Sequence, residues 1–233
     1  MKSTEQQSPF DMEISRVEKQ LEKIMNSFSL MKQKLQNNDK DAALEEAFDF
    51  VYKTEKLMLL SRELPACTGH PQAQKMIDQA VYESMPIQIG FTNDGWFGVV
   101  IPALLPKKEK GPVDFIRTPM YMAMDDFFKS RNRLRYTDCF LVYRHVYKRD
   151  RPERHYRDHD KIEINTVTDI IAFYVLYDDS PLHCSHLYYT AAGDENRTEI
   201  FVVPKKEIHD WIDQYIFGQA KELILHENIP KKR

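Results

Sequence analysis

The stretch RDHDKIEINTVTDIIAFYVLYDDS, residues 157–180, decides how the second half of this chain is read. An apolar, helix-spaced run is bracketed by acids: Asp158, Asp160 and Glu163 before it, Asp178 and Asp179 after it. On one side lies RYTDCFLVYRHVYKR (135–149), whose aromatic and β-branched residues predict a long strand. On the other, CSHLYYTAA (184–192) and RTEIFVVP (197–204) predict two more strands around the turn GDEN (193–196). The central run reads as a helix from about 161 to 173 that passes into a turn at YDDS.

Working outward, IQIGFTNDGWFGVVIPALLP (87–106) changes to a period of two, and its TNDG is a hairpin turn between two antiparallel strands. KKEKGP (107–112) is a lysine-bearing loop, and 113–129 reads as a helix started or interrupted at Pro119. A last helix is expected over about 205–226. The order strand, strand, helix, strand, helix, strand, strand, helix predicts an α+β domain over 86–233, a mixed sheet with helices packed on one side.

Residues 1–85 form a helical extension. Ile14, Val17, Leu21, Ile24, Phe28, Met31 and Leu35 recur at three-then-four spacing, the seam of a coiled coil or a helical hairpin, within a helix over 11–36. Asp39 or Asp41 caps a second helix over 42–64, LPACTGHP (64–71) turns, and a short helix follows over 72–84. The arm serves either as an oligomerisation or partner-binding surface, or as a hairpin packed on its own domain. About three heptads are few for a free coiled coil.

The 233 residues are long enough to bury a core, and a net charge of −3 gives no global basic field. No apolar run approaches the roughly 20 residues of a spanning helix, and MKSTEQQSPF lacks the apolar stretch of a signal peptide, so a cytoplasmic protein without membrane contact is expected. Three cysteines, Cys67, Cys139 and Cys184, without CxxC spacing read as free thiols.

Two readings of the acids stay open. Each cluster alone is ordinary: Asp160-x-x-Glu163 is an acidic capping box and DDS is turn chemistry. Paired around one helix, they suit a hard cation such as Mg²⁺, or Mn²⁺ in its place. Beside them, RHVYKRDRPERHYRDHDK (144–161) carries Arg144, Lys148, Arg149, Arg151, Arg154, Arg157 and Lys161 among tyrosines. With Lys107 and Lys108 this is a phosphate-holding footprint, or else a solvated loop whose arginines pair with Asp150, Glu153 and Asp158. His155, His159, His183 and His186 match no standard zinc spacing, and His159 stands between the two aspartates.

On these residues the segment 157–180 resembles the signature of RusA-type Holliday junction resolvases: an acidic loop opening a helix, an aspartate within it, and an acid pair before a strand. FGVVIPALLPKK, DCFLVYRHVYKR, HLYYTAA and TEIFVVP follow the same order over about 97–204, roughly half of the chain. The resemblance implies a Mg²⁺-dependent, structure-selective endonuclease acting on branched or duplex DNA. Asp158, Asp160 and Asp179 would hold the metal with Asp178 beside them, Asp169 would match the helix aspartate, and Lys161 would assist catalysis. Arg144, Lys148, Arg149, Arg151, Arg154, Arg157, Lys107 and Lys108 would grip DNA, and a homodimer would meet a symmetric junction. This chain departs from the pattern at Lys161, where the family has Asn, and at Asn165, where the family's helix lysine falls. The whole chain is also similar to an uncharacterised family encoded on mobile elements of Gram-positive gut bacteria. A catalytically silent DNA-binding or protein-binding accessory, or an anti-defence protein, on the same fold is the alternative.

Overall fold

The computed structural model describes residues 8–108, 114–150, 152, 156–218 and 223–230. The chain divides into two compact units, with the boundary inside one helix between Ala80 and Val81.

The first unit is built on an antiparallel pair, α1 (Pro9–Gln36) and α2 (Lys40–Cys67), and takes in most of α3 (Ala73–Ser84). Ser8 caps α1, its hydroxyl accepting from the Asp11 N–H, with Pro9 at the first helical position where a missing N–H costs nothing. Asn38, at φ 58°, breaks the chain between the helices, and Asp39 caps α2 by accepting from the Ala42 N–H. The buried face of α1 shares only Ile24 with the expected seam. Glu13, Gln20, Ile24 and Ser27 are the buried residues of α1. Gln20 Nε2 donates to the Lys53 carbonyl (2.9 Å), Ser27 Oγ to Glu46 (3.2 Å) and Lys34 Nζ to Glu46 (2.8 Å). Of the seven seam residues only Ile24 is buried.

The second unit is a five-stranded mixed sheet in the order β1-β2-β5-β3-β4: β1 Gln88–Phe91, β2 Phe97–Ile101, β3 Cys139–Lys148, β4 Cys184–Gly193 and β5 Arg197–Pro204. The β1–β2 hairpin closes at the expected turn, with Gly95 at φ 88° and the Thr92 N–H donating to the Trp96 carbonyl. β3 pairs parallel with β4 and antiparallel with β5, so the two strands flanking the 194–196 turn are not hairpin partners. That turn straddles the end of β3, where the Arg149 N–H donates to the Gly193 carbonyl and the Lys148 N–H to Asn196 Oδ1.

α4 (Asp114–Phe128) runs through Pro119, and α5 (Asn165–Val175) crosses between β3 and β4. They share one face: Phe127 and Phe128 of α4 meet Phe97, Phe128 stacks on Tyr174 of α5, and Tyr143 of β3 hydrogen-bonds Thr168 of α5. Side chains alternate along a strand, so Val142 and Phe201 point the other way, where Trp211 and Tyr215 cover them. Those two residues belong to α6 (Ile208–Ile212) and the π turn Asp213–Phe217. The single helix expected over 205–226 is thus replaced by these short pieces and an extended return. Residues 225 and 226 run over Gly90 and Gly98, and Phe91 and His226 exchange both backbone hydrogen bonds at 2.8 Å. A side chain at either glycine would obstruct that approach, since a Cβ at Gly90 would lie 2.5 Å from the His226 carbonyl oxygen.

Candidate functional site

The loop before α5 is held by its backbone. Lys107 and Ile162 form an antiparallel bridge, the Lys108 N–H donates to the Lys161 carbonyl and the Glu163 N–H to the Pro106 carbonyl. Those bonds occupy residues 161–163 in extended pairing, so the helix starts at Asn165, later than the spacing predicts. The expected capping box does not form. His159–Lys161 is a 3₁₀ turn, and Glu163, in place of Asp160, accepts from the Asn165 N–H at 2.8 Å. Asp160 and Asp169 are exposed.

The acids do not converge. His159 fixes the position of its neighbours, because its Nε2 is 2.8 Å from Thr190 Oγ1, toward the far end of β4. At the other end the Cys184 and His183 N–H groups donate to the Ser180 carbonyl, which anchors Asp178 and Asp179 at the start of β4. From Cys184 to Thr190 is roughly 20 Å of strand, and the 11 residues of α5 span about 16 Å. A shared magnesium needs oxygens about 2.1 Å from one point. Asp158 and Asp160 therefore cannot share an ion with Asp178 or Asp179. Among the described residues no three His, Cys, Asp or Glu side chains gather as metal ligands. Asp158 instead bonds Lys161 Nζ at 2.6 Å, which holds its carboxyl below the usual range, while the Ser180 hydroxyl does the same for Asp178.

The basic stretch is dispersed as well. Arg144, expected on DNA, is 4% exposed, with its guanidinium 2.8 Å from Glu199 and over the ring of Tyr215. Glu199 is fully buried and also takes Arg197 at 2.7 Å. Lys148 pairs with Asp150 (3.7 Å) and Arg149 with Asp194 (3.4 Å), while Arg157 donates to the Leu105 carbonyl and, from its backbone, to the Tyr147 hydroxyl. Lys107 and Lys108 are exposed; Arg151 and Arg154 lie outside the described residues.

Two features on the α4–α5 face of the sheet went unread in the sequence. His145 is 1% exposed, neither ring nitrogen has a hydrogen-bond partner, and burial pushes its pKa down to about 4, with His159 and Arg157 adding to the effect. Cys139 and Cys184 are direct partners in β3 and β4, both buried free thiols. The signal for the first was an imidazole amid the apolar residues of a central strand. The second needs the β3–β4 register.

Among the described residues, a row of exposed apolar side chains lies in the first unit. Ile14, Leu21, Phe28 and Leu35 each follow by one residue the positions 13, 20, 27 and 34 that face α2, which puts them about 100° round the helix. Leu21 is 44% exposed, Phe28 41% and Leu35 56%, with Met25 at 62% on the same stripe. Phe28 meets Phe50 of α2 with ring centroids 5.9 Å apart, and beyond it Val51 and Met58 are exposed on α2.

The profile of a family described as being of unknown function (DUF6100) matches residues 5–228. No curated protein matches the chain. Among solved structures, the periplasmic domain of Helicobacter pylori MotB (residues 90–256) aligns over 55% of this chain and 94% of that one, at 14% identity and a TM-score of 0.26. At that score the likeness carries no argument. Among the described residues no helix is long and apolar enough to cross a membrane.

Proposed function

The chain belongs to the DUF6100 family of unknown function, so its activity has to be sought on its own surfaces, and from them we propose that it is a binding protein that works through the α1–α2 hairpin. The observation that carries this is the apolar flank of α1, four large side chains from Leu21 to Leu35 at least 41% exposed on one stripe. A stripe of that kind on a charged helix is an interaction surface. The sheet unit then acts as a non-catalytic body, in keeping with an accessory or anti-defence role for a mobile element.

The separation of Asp158 and Asp160 from Asp178 and Asp179 supports this reading over a metal-dependent endonuclease. Metal-assisted attack on a phosphodiester needs those oxygens around one ion, and here a helix and a strand stand between them. Among the described residues, the pairing of Lys148, Arg149 and Lys161 with acids and the burial of Arg144 reduce the cationic surface open to a phosphate backbone.

The test is cleavage of labelled four-way junctions, duplexes and single strands by the purified protein with Mg²⁺ or Mn²⁺. No cutting is expected, with or without Asp160→Asn and Asp179→Asn. Cutting that both substitutions abolish would overturn the proposal and restore the nuclease.

A further inference from the structure

The geometry points to a second copy of this chain as the occupant of the hairpin flank, with α1 packed antiparallel on α1 of the partner subunit about a two-fold axis between Ile24 and Met25. This inference rests on the reading of the chain as a binding protein and names its partner.

The first ground is inversion. Within the hairpin, α1 buries Glu13, Gln20 and Ser27, the last two bonded to α2, and leaves Leu21, Met25, Phe28 and Leu35 41–62% exposed. An isolated helix pair in water places its apolar stripe inside. This one carries its apolar stripe where a third and a fourth helix would lie.

Self-complementarity is the second ground, and it separates a second copy from an unrelated partner. In an antiparallel pair centred between residues 24 and 25, Ile14 of one chain meets the partner's Leu35, and Leu21 meets the partner's Phe28. Two-fold symmetry repeats both contacts, so every apolar position of the stripe finds an apolar position opposite. The charges agree. Glu18 and Lys32 are both exposed and each lies seven residues from Met25 on the same stripe, so the same register sets Glu18 beside the partner's Lys32 on either side of the axis. A parallel pairing would set Glu18 against Glu18 and Lys32 against Lys32.

Area is the third. Leu21, Met25, Phe28, Leu35, Val51 and Met58 are 37–62% exposed, on the order of 500 Å² of apolar surface in all. A stable interface of standard size buries about 800 Å² per partner, and the charged rim of α1 supplies the remainder.

Sedimentation of the full chain gives the mass, and a single cysteine reads the axis. The wild type is expected to run as a dimer. Met25→Cys, next to the axis, is expected to oxidise to a covalent dimer under mild oxidant, whereas Lys23→Cys, exposed and about 160° round α1 from Met25, is not. Leu21→Glu with Phe28→Glu is expected to give a monomer with unchanged circular dichroism. Glu18→Lys is expected to weaken the dimer about threefold, and adding Lys32→Glu to restore it. A wild-type monomer, or a dimer indifferent to the double glutamate variant, would overturn the inference. A monomer that cuts no junction refutes self-pairing and leaves the binding reading standing; a dimer that cuts junctions through Asp160 and Asp179 does the reverse.

Discussion

Arg144 shows how far a residue's meaning depends on its strand. In the sequence it opens a run of cations, and among cations it reads as a phosphate contact. On β3 it is buried on the side of the sheet that Tyr215 covers, where the ion pair with Glu199 makes the charge tolerable. Because Glu199 is shared with Arg197, removing it strands one fully buried cation and one largely buried cation. Glu199→Ala is expected to cost about 3 to 5 kcal/mol in denaturant unfolding, whereas replacing Arg144 and Glu199 together by methionines costs much less. His145 on the opposite face gives a pH signature. Its folded pKa of about 4 lies below the roughly 6.5 of the unfolded chain, so only the unfolded state takes up the proton in between. Stability is therefore complete above pH 6.5 and falls by about 3 kcal/mol as the pH drops toward 4. Unfolding of His145→Leu across that range is expected to lack this part of the loss.

At the scale of elements, spacing reported what a segment is and said little about its neighbours. The Asn-Asp-Gly hairpin, the long β3 and the strands around residue 194 were legible because each is a local preference. The start of α5 was not, since the pairing of Lys107 with Ile162 draws on a segment far along the chain. The C-terminal helix failed for a similar reason. Residues 225 and 226 are claimed by the edge of the sheet, where Phe91 takes His226 as a backbone partner. Gly90→Ala tests that claim. Its Cβ would meet the His226 carbonyl, and the expected outcome is faster amide exchange at Phe91 and His226 with a loss of about 1 to 3 kcal/mol.

For the molecule as a whole, the α+β class and the helical arm were readable from the change of period near residue 87. The site was not. Two acidic clusters flanking one helix look convergent on paper, yet a helix that crosses between adjacent parallel strands carries its two ends to opposite ends of those strands. The heptad seam was legible as a helical hairpin, and less so in the direction it faces. Periodicity finds a stripe, and it cannot say whether that stripe meets the neighbouring helix or another molecule. In α1 the apolar repeat and the polar repeat run side by side, one residue apart; Gln20 and Ser27 of the polar one bond α2, while the apolar one reaches α2 at Phe28 and keeps Leu21, Met25 and Leu35 exposed.

The clasp of β4 and β5 around β3 has a consequence in time. β3 waits for partners whose last residues are Gly193 and Pro204, while the hairpin is complete once α2 ends at Cys67. Contacts so distant in sequence close slowly, and a chain is synthesised from its N-terminus. On a ribosome the hairpin and the apolar flank of α1 thus emerge, and can fold, long before the sheet can form.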